Sequence, residues 1–160
     1  MTVAEYNQCV DKFADGVYRF ILKNIKNEEH ARDIVQDAFA KMWEKAKDIS
    51  FSKSKSYLFT TAYHTMIDLI RKEKHKEDIE NYLEAASTNQ DYSDAMEVLN
   101  GGLEKLPDVQ RSVLMLRDYE GYSYQEIGEI TELNESQVKV YIYRARVFLK
   151  NYLVSIDHVI

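Results

Sequence analysis

Backbone punctuation is almost absent from this chain: Pro107 is its only proline, and five glycines are spread over 160 residues. An all-β fold needs more turn formers than that, and a series of βαβ crossovers needs more breaks. The chain is therefore expected to be all-α. With 45% hydrophobic and 30% charged residues, it has the composition of a globular protein that can bury a core.

Apolar residues recur at helical spacing three times in the first half. Tyr6, Val10, Phe13, Val17 and Phe20 or Ile21 form one stripe; Ala31, Ile34, Val35, Ala38 and Met42 a second; Leu58, Ala62, Met66 and Leu69 a third. Asn27 is a candidate N-cap for the second helix, and Ser54 or Ser56 for the third, because their side-chain oxygens can accept orphan first-turn amides. Periodicity fades after Lys76. The sequence "EAASTNQDYSD" reads as a linker, with a short helix expected over residues 79–86.

Charge is distributed unevenly. The formal net charge is -6, and residues 77–104 hold acids but no lysine or arginine. Basic residues gather in "RKEKHK" (71–76) and in "TELNESQVKVYIYRARVFLK" (131–150). Two positive patches are thus separated by an acidic connector, and local distribution says more about partners than the total does. Cys9 is the single cysteine, which rules out an internal disulfide and fits a reducing compartment. The opening "MTVAEYNQCVDK" lacks the pattern of a signal peptide, and no apolar run approaches a membrane span, so a soluble cytoplasmic protein without membrane insertion is expected.

The second half restarts at "KLPDVQRSVLMLRDYEG". Pro107 suits a first helical position, Leu106, Val109, Val113 and Leu116 give an apolar face, and Gly121 falls just past the expected end. Ser123 followed by Glu126 is a capping box for a short helix, and Asn134 with Gln137 repeats it for a longer one. Gly128 stands where two such helices must approach closely. Together these features predict a helix-turn-helix. On its second helix Val138, Ile142, Ala145 and Leu149 face inward, while Ser136, Lys139, Val140, Tyr143 and Val147 lie opposite, flanked by Arg144 and Arg146. Guanidiniums at the edges and small, amide, apolar and aromatic groups between them suit a major groove.

The segment "LPDVQRSVLMLRDYEGYSYQEIGEITELNESQVKVYIYRAR" resembles the promoter-binding C-terminal domain of the sigma-70 family. The segments "EEHARDIVQDAFAKMWEK" and "SYLFTTAYHTMIDLIRK" resemble its N-terminal core domain. Two such domains and a short connector make the chain similar to the extracytoplasmic function (ECF) sigma factors. The resemblance implies two small helical domains, an N-terminal bundle over residues 1–76 and a C-terminal helix-turn-helix domain over 98–160, joined by an acidic linker over 77–97. It implies that Asp33, Gln36, Asp37, Phe39 and Trp43 dock on core RNA polymerase. A wheel places Gln36, Phe39 and Trp43 away from the Ile34 and Ala38 stripe, although a lone tryptophan in a small bundle is also commonly a core or seam residue.

By the same resemblance, Ser52, Lys53, Ser54, Lys55, Tyr57, His64, Arg71, Lys72 and Lys74 capture the melted downstream (-10) element. Stacking surfaces beside cations suit single-stranded DNA. The family usually carries asparagine at the position of His64 and tryptophan at that of Tyr57; His64 reads equally well as a half-buried structural histidine. Ser136, Gln137, Lys139, Val140, Tyr143, Arg144 and Arg146 are expected to contact the upstream (-35) element. Glu132 stands where a turn glycine is common, and Val140 and Tyr141 replace commonly polar or basic residues. An anti-sigma factor is a further implied partner.

Other functions find less support. His30, His64, His75 and His158 are scattered without metal-ligand spacing, no phosphate loop or nucleophile motif occurs, and neither catalytic residues, metal, cofactor nor small-molecule substrate is expected. A dimeric LuxR-type regulator would share the helix-turn-helix. Its first half would then need a receiver or ligand-sensing domain, which "DIVQDAF" and "RKEKHK" do not provide. A purely protein-binding helical adaptor would leave both basic patches unexplained.

Overall fold

The computed structural model describes residues 1–80 and 95–157, and every regular element in them is helical. The first half consists of α1 (Val3–Ile25), α2 (Glu28–Glu44), a short 3-10 turn (Phe51–Lys53) and α3 (Ser54–Glu80). The second consists of α4 (Ala95–Lys105), α5 (Asp108–Asp118), α6 (Tyr124–Thr131) and α7 (Glu135–Asp157). The expected linker is represented only at its ends, where residues 77–80 continue α3 and 95–97 open α4; residues 81–94, including most of the expected short helix, lie outside the described residues.

Local sequence signals fix most boundaries. Thr2 and Glu5 form a capping box at α1, and Asn27 caps α2 by accepting from the His30 amide at 3.0 Å. Each such cap is worth about 1 kcal/mol. At α3 the outcome differs from the expected cap. Ser54 is fully buried, and its Oγ donates to the Phe51 carbonyl at 2.6 Å, so it closes the 3-10 turn instead of accepting a helix amide. Pro107 sits one position earlier than expected, as the extended residue before α5.

Helices α1, α2 and α3 pack around Val17, Phe20, Ile21, Ala31, Ile34, Ala38, Met42, Leu58, Ala62 and Met66. In the second half α4, α5, α6 and α7 enclose Leu103, Val113, Leu116, Ile127, Ile130, Val138, Ile142 and Ala145. The two cores are continuous. Helix α3 lies on α6 and α1 on α5, with the Phe59 ring between Phe20 (centroids 5.7 Å apart) and Tyr122 (5.4 Å). A polar knot completes the boundary: Asn24 Oδ1 accepts from Arg111 Nε at 2.9 Å and from Ser112 Oγ at 3.3 Å, and all three residues are buried. Arg111 also donates to the Leu106 carbonyl and to Asp108, so its charge is not left uncompensated.

Candidate nucleic-acid interface

The turn that aims α7 is built from α6. Ser123 and Glu126 exchange bonds as a capping box, and Asn134 and Gln137 do the same at the start of α7, with both contacts at or below 3.0 Å. Gly128 is required here: a Cβ on it would lie 2.6 Å from the Leu133 carbonyl oxygen. Glu132 occupies the left-handed region at φ 61°, the conformation that a turn glycine adopts without strain.

The inward set on α7 is as expected, with Val138, Ile142 and Ala145 buried and Leu149 half-buried. Ser136, Lys139, Val140, Tyr143, Arg144 and Arg146 all face solvent, and Tyr143 is 69% exposed. Asn134, Ser136, Gln137, Val140, Tyr141 and Arg144 line one open concavity. Gln137 is partly committed, because its Oε1 accepts from the Asn134 amide, while its amide nitrogen stays available to a ligand. Arg146 is committed further: it donates to Asp118 at 2.7 Å, a bond that raises its pKa despite some burial.

Two residues join this surface that the sequence reading did not include. The Arg117 guanidinium lies 4.5 Å from the Tyr124 ring centroid, and Lys139 approaches the same ring at 5.6 Å. The mouth of the helix-turn-helix therefore carries Arg117, Lys139 and Arg146 around one aromatic ring. The signal was present in sequence: an arginine in the last turn of α5 and a tyrosine just after the capping serine.

The second cationic surface runs along α3. Ser52, Lys53, Arg71, Lys72 and Lys74 are exposed, and Lys55, Tyr57 and His64 are half-buried. Arg71 and Lys72 line a concavity with His30, Leu69, Glu73, His75 and Lys76, so the start of α2 contributes to this surface. Ser54 must be removed from it, because it is enclosed beneath the 3-10 turn. His64 sits 3.7 Å from Glu132 and edge-on to Tyr63, half-exposed at the boundary between the halves.

Along α2, Asp33 and Gln36 are exposed, and Asp37 pairs with Lys41 at 3.0 Å. Trp43 is 51% exposed and packs edge-on against Tyr6. Phe39 departs from the wheel. It is only 8% exposed because α1 crosses over it: the Tyr6 ring meets it edge-on, and the Tyr6 hydroxyl donates to its carbonyl at 2.9 Å.

Among the described residues no cluster of His, Cys, Asp and Glu could hold a metal ion, and no helix is long and apolar enough to cross a membrane. An all-helical chain with one cationic face on α3 and a helix-turn-helix behind it defines a two-part DNA-binding protein. The comparisons with known proteins give that class its family. Residues 9–76 match Sigma-70 region 2 and residues 99–149 match Sigma-70 region 4. The ECF RNA polymerase sigma factor SigM of Bacillus subtilis is 31% identical over 156 residues, 94% of each chain. RNA polymerase sigma factor SigV of the same organism is 28% identical, over 93% of this chain and 91% of its own. Among solved structures, the sigma factor RpoE from Bartonella quintana, in complex with the anti-sigma factor NepR, has the same fold, with TM-score 0.79 at 23% identity over 94% of this chain and 98% of that one.

The chain belongs to the sigma-70 family of RNA polymerase sigma factors, in its ECF group. Its function is promoter recognition in transcription initiation. The match of the first half to region 2 displaces the LuxR-type alternative.

Proposed function

We propose that the two cationic faces divide the promoter between them, α7 reading the upstream element in duplex form and α3 holding the melted downstream element as a single strand. The observation that carries this reading is the difference in their chemistry. The α7 strip is an exposed helical face with apolar and small groups at its centre and cations at its margins, which matches a major groove. The α3 face mixes half-buried rings, Tyr57 and His64, with cations, which matches unstacked bases on a phosphate track. Arg117, Lys139, Arg144 and Arg146 position the backbone, and Ser136, Val140 and Tyr143 meet base edges.

Residues 1–76 and 98–160 act as the two working domains, with 77–97 as the acidic connector between them. Asp33, Gln36, Asp37 and Trp43 form the docking face for core RNA polymerase, a polar patch around one outward aromatic ring. The role is binding, not catalysis, and it is exercised in the cytoplasm. An anti-sigma factor is a natural regulator, since the RpoE structure of similar fold was determined with one, NepR.

The test mixes the purified chain with core RNA polymerase and a promoter library. Specific run-off transcripts are expected. A chain that forms no polymerase complex yet binds duplex DNA as a dimer contradicts the reading.

A further inference from the structure

The groove between α2 and α3 holds chemistry that the promoter reading leaves unused. It offers about 560 Å³ open to solvent, with Leu69 as its apolar member and Arg71, Lys72 and Lys76 as permanent cations. Two imidazoles line it as well, His30 from the first turn of α2 and His75 from α3. Among the described residues that line it, the one acid is Glu73, whose Oε1 lies 3.5 Å from His30 Nδ1. The Asn27 side chain accepts from the His30 amide at 3.0 Å, which anchors that end of the groove to the helix start. The side chains of His30 and Glu73 remain 38% and 53% exposed, so a ligand can reach both.

The charge of this groove depends on protons. With neutral imidazoles, its three cations and one acid leave it two charges positive; with both imidazoles protonated it is four charges positive. Imidazole is the side chain that changes charge near neutral pH, and a phosphate brought beside it favours the charged form. His30 also acts on Glu73. A carboxylate among these cations repels a phosphate, and a protonated imidazole 3.5 Å away offsets that repulsion. Stability alone is a weak reason for the pair, since ion pairs this exposed contribute little. The surrounding charges do not change near neutral pH: Lys74 is held by Asp108 of α5 at 2.7 Å, Lys26 at the end of α1 pairs with Glu104 of α4, and Glu29 and Asp33 lie exposed on α2.

We propose that His30, His75 and Glu73 form a proton-linked phosphate site, in which the sugar-phosphate backbone of the melted strand binds with uptake of protons. The proposal rests on assigning α3 to single-stranded DNA, and it adds His30 of α2 to that track. Phosphates that run over Arg71 and Lys72 enter the groove, and the two imidazoles become protonated as the strand arrives. A ligand whose binding raises proton occupancy binds more tightly as pH falls, and each imidazole engaged adds a cation to the salt dependence. The hold on an open promoter therefore strengthens as the surroundings acidify.

The test titrates the full chain against a fluorescent random-sequence single strand at pH 6 and pH 8, each over a salt series. The unaltered chain is expected to bind about tenfold more tightly at pH 6, with a salt slope steeper by about 0.7 for each imidazole engaged. His30→Gln combined with His75→Gln is expected to flatten both differences. His30→Lys should raise the affinity at pH 8 toward the acid value, and Glu73→Gln should tighten binding at pH 8. Equal affinity of the unaltered chain at the two pH values overturns the proposal, as does a full pH response retained in the double glutamine variant. A response lost in His64→Gln alone assigns it to the imidazole that faces Glu132 at 3.7 Å and overturns the proposal too. Lys53→Ala with Tyr57→Ala checks the assignment beneath it. Undiminished binding at both pH values removes α3 from the path of the strand and the proposal with it, whereas weakened binding beside a flat profile of the unaltered chain removes the proposal alone.

Discussion

Arg111 Nε donates to Asn24 Oδ1 at 2.9 Å across the boundary between the two halves, where both side chains are buried. Truncating Asn24 would strand one donor of a buried guanidinium. Asn24→Ala is therefore expected to lower the unfolding free energy by about 2 to 3 kcal/mol, the cost of unpairing a buried charged group. Urea denaturation measures it. A loss below about 0.5 kcal/mol, the range of ordinary surface substitutions, would show that the knot does not couple the halves.

The arginines flanking α7 should not behave alike. Arg144 is exposed and borders the concavity on α7, so Arg144→Ala is expected to reduce the salt dependence of promoter binding by about one unit of slope. Arg146 is already held by Asp118 at 2.7 Å and must give up that bond to reach a phosphate. Asp118→Ala should accordingly strengthen binding to upstream-element duplex, while Arg146→Ala weakens it less than Arg144→Ala does. Binding isotherms over a salt series decide the order.

Two substitutions probe the turn between α6 and α7. Gly128→Ala forces a methyl to 2.6 Å from the Leu133 carbonyl oxygen and should destabilise the C-terminal half by about 1 to 3 kcal/mol, the usual range for overpacking. Glu132→Asn relieves a left-handed glutamate and should be neutral or stabilising by up to about 1 kcal/mol. Thermal unfolding of the full chain reads both. A stabilising Gly128→Ala would contradict the geometry.

Acid should loosen the boundary through Asp108. Burial pushes its carboxyl up, but hydrogen bonds and charge from Lys74 and Arg111 outweigh that and leave its pKa below the ordinary 3.8. A lowered carboxylate contributes stability above its unfolded pKa and loses it as pH falls through the folded one. Tyr63 beside it, pushed up to about 12 by burial, stays neutral throughout that window. Stability read by urea denaturation is expected to hold above about pH 5 and to fall below about pH 4, with Asp108→Asn blunting the response. An identical acid response in that variant would exclude Asp108 as the cause.

What was legible in the sequence was local. The capping pairs Ser123 with Glu126 and Asn134 with Gln137, the close approach at Gly128, and the inward set Val138, Ile142 and Ala145 all depend on residues a few positions apart. The errors concern what another element does to a residue. A wheel for α2 cannot know that Tyr6 of α1 crosses Phe39, and a cap pattern cannot know that a 3-10 turn precedes Ser54 and redirects its hydroxyl. The boundary itself was invisible for the same reason. No local pattern links Asn24 to Arg111, which lie 87 positions apart and are buried together only in the fold.

In all four ion pairs between the halves among the described residues, the base comes from the N-terminal half and the acid from the C-terminal half. This one-way charge pattern bears on module exchange. A C-terminal half transplanted from a relative would bring its own promoter preference but also its own residues at the positions of Glu104, Asp108, Glu120 and Glu132. If those are not acidic, the hybrid reads a new sequence and loses its hold on Arg19, Lys26, His64 and Lys74. Chimeras therefore need matched boundary charges as well as matched recognition helices if the two halves are to pack as they do here.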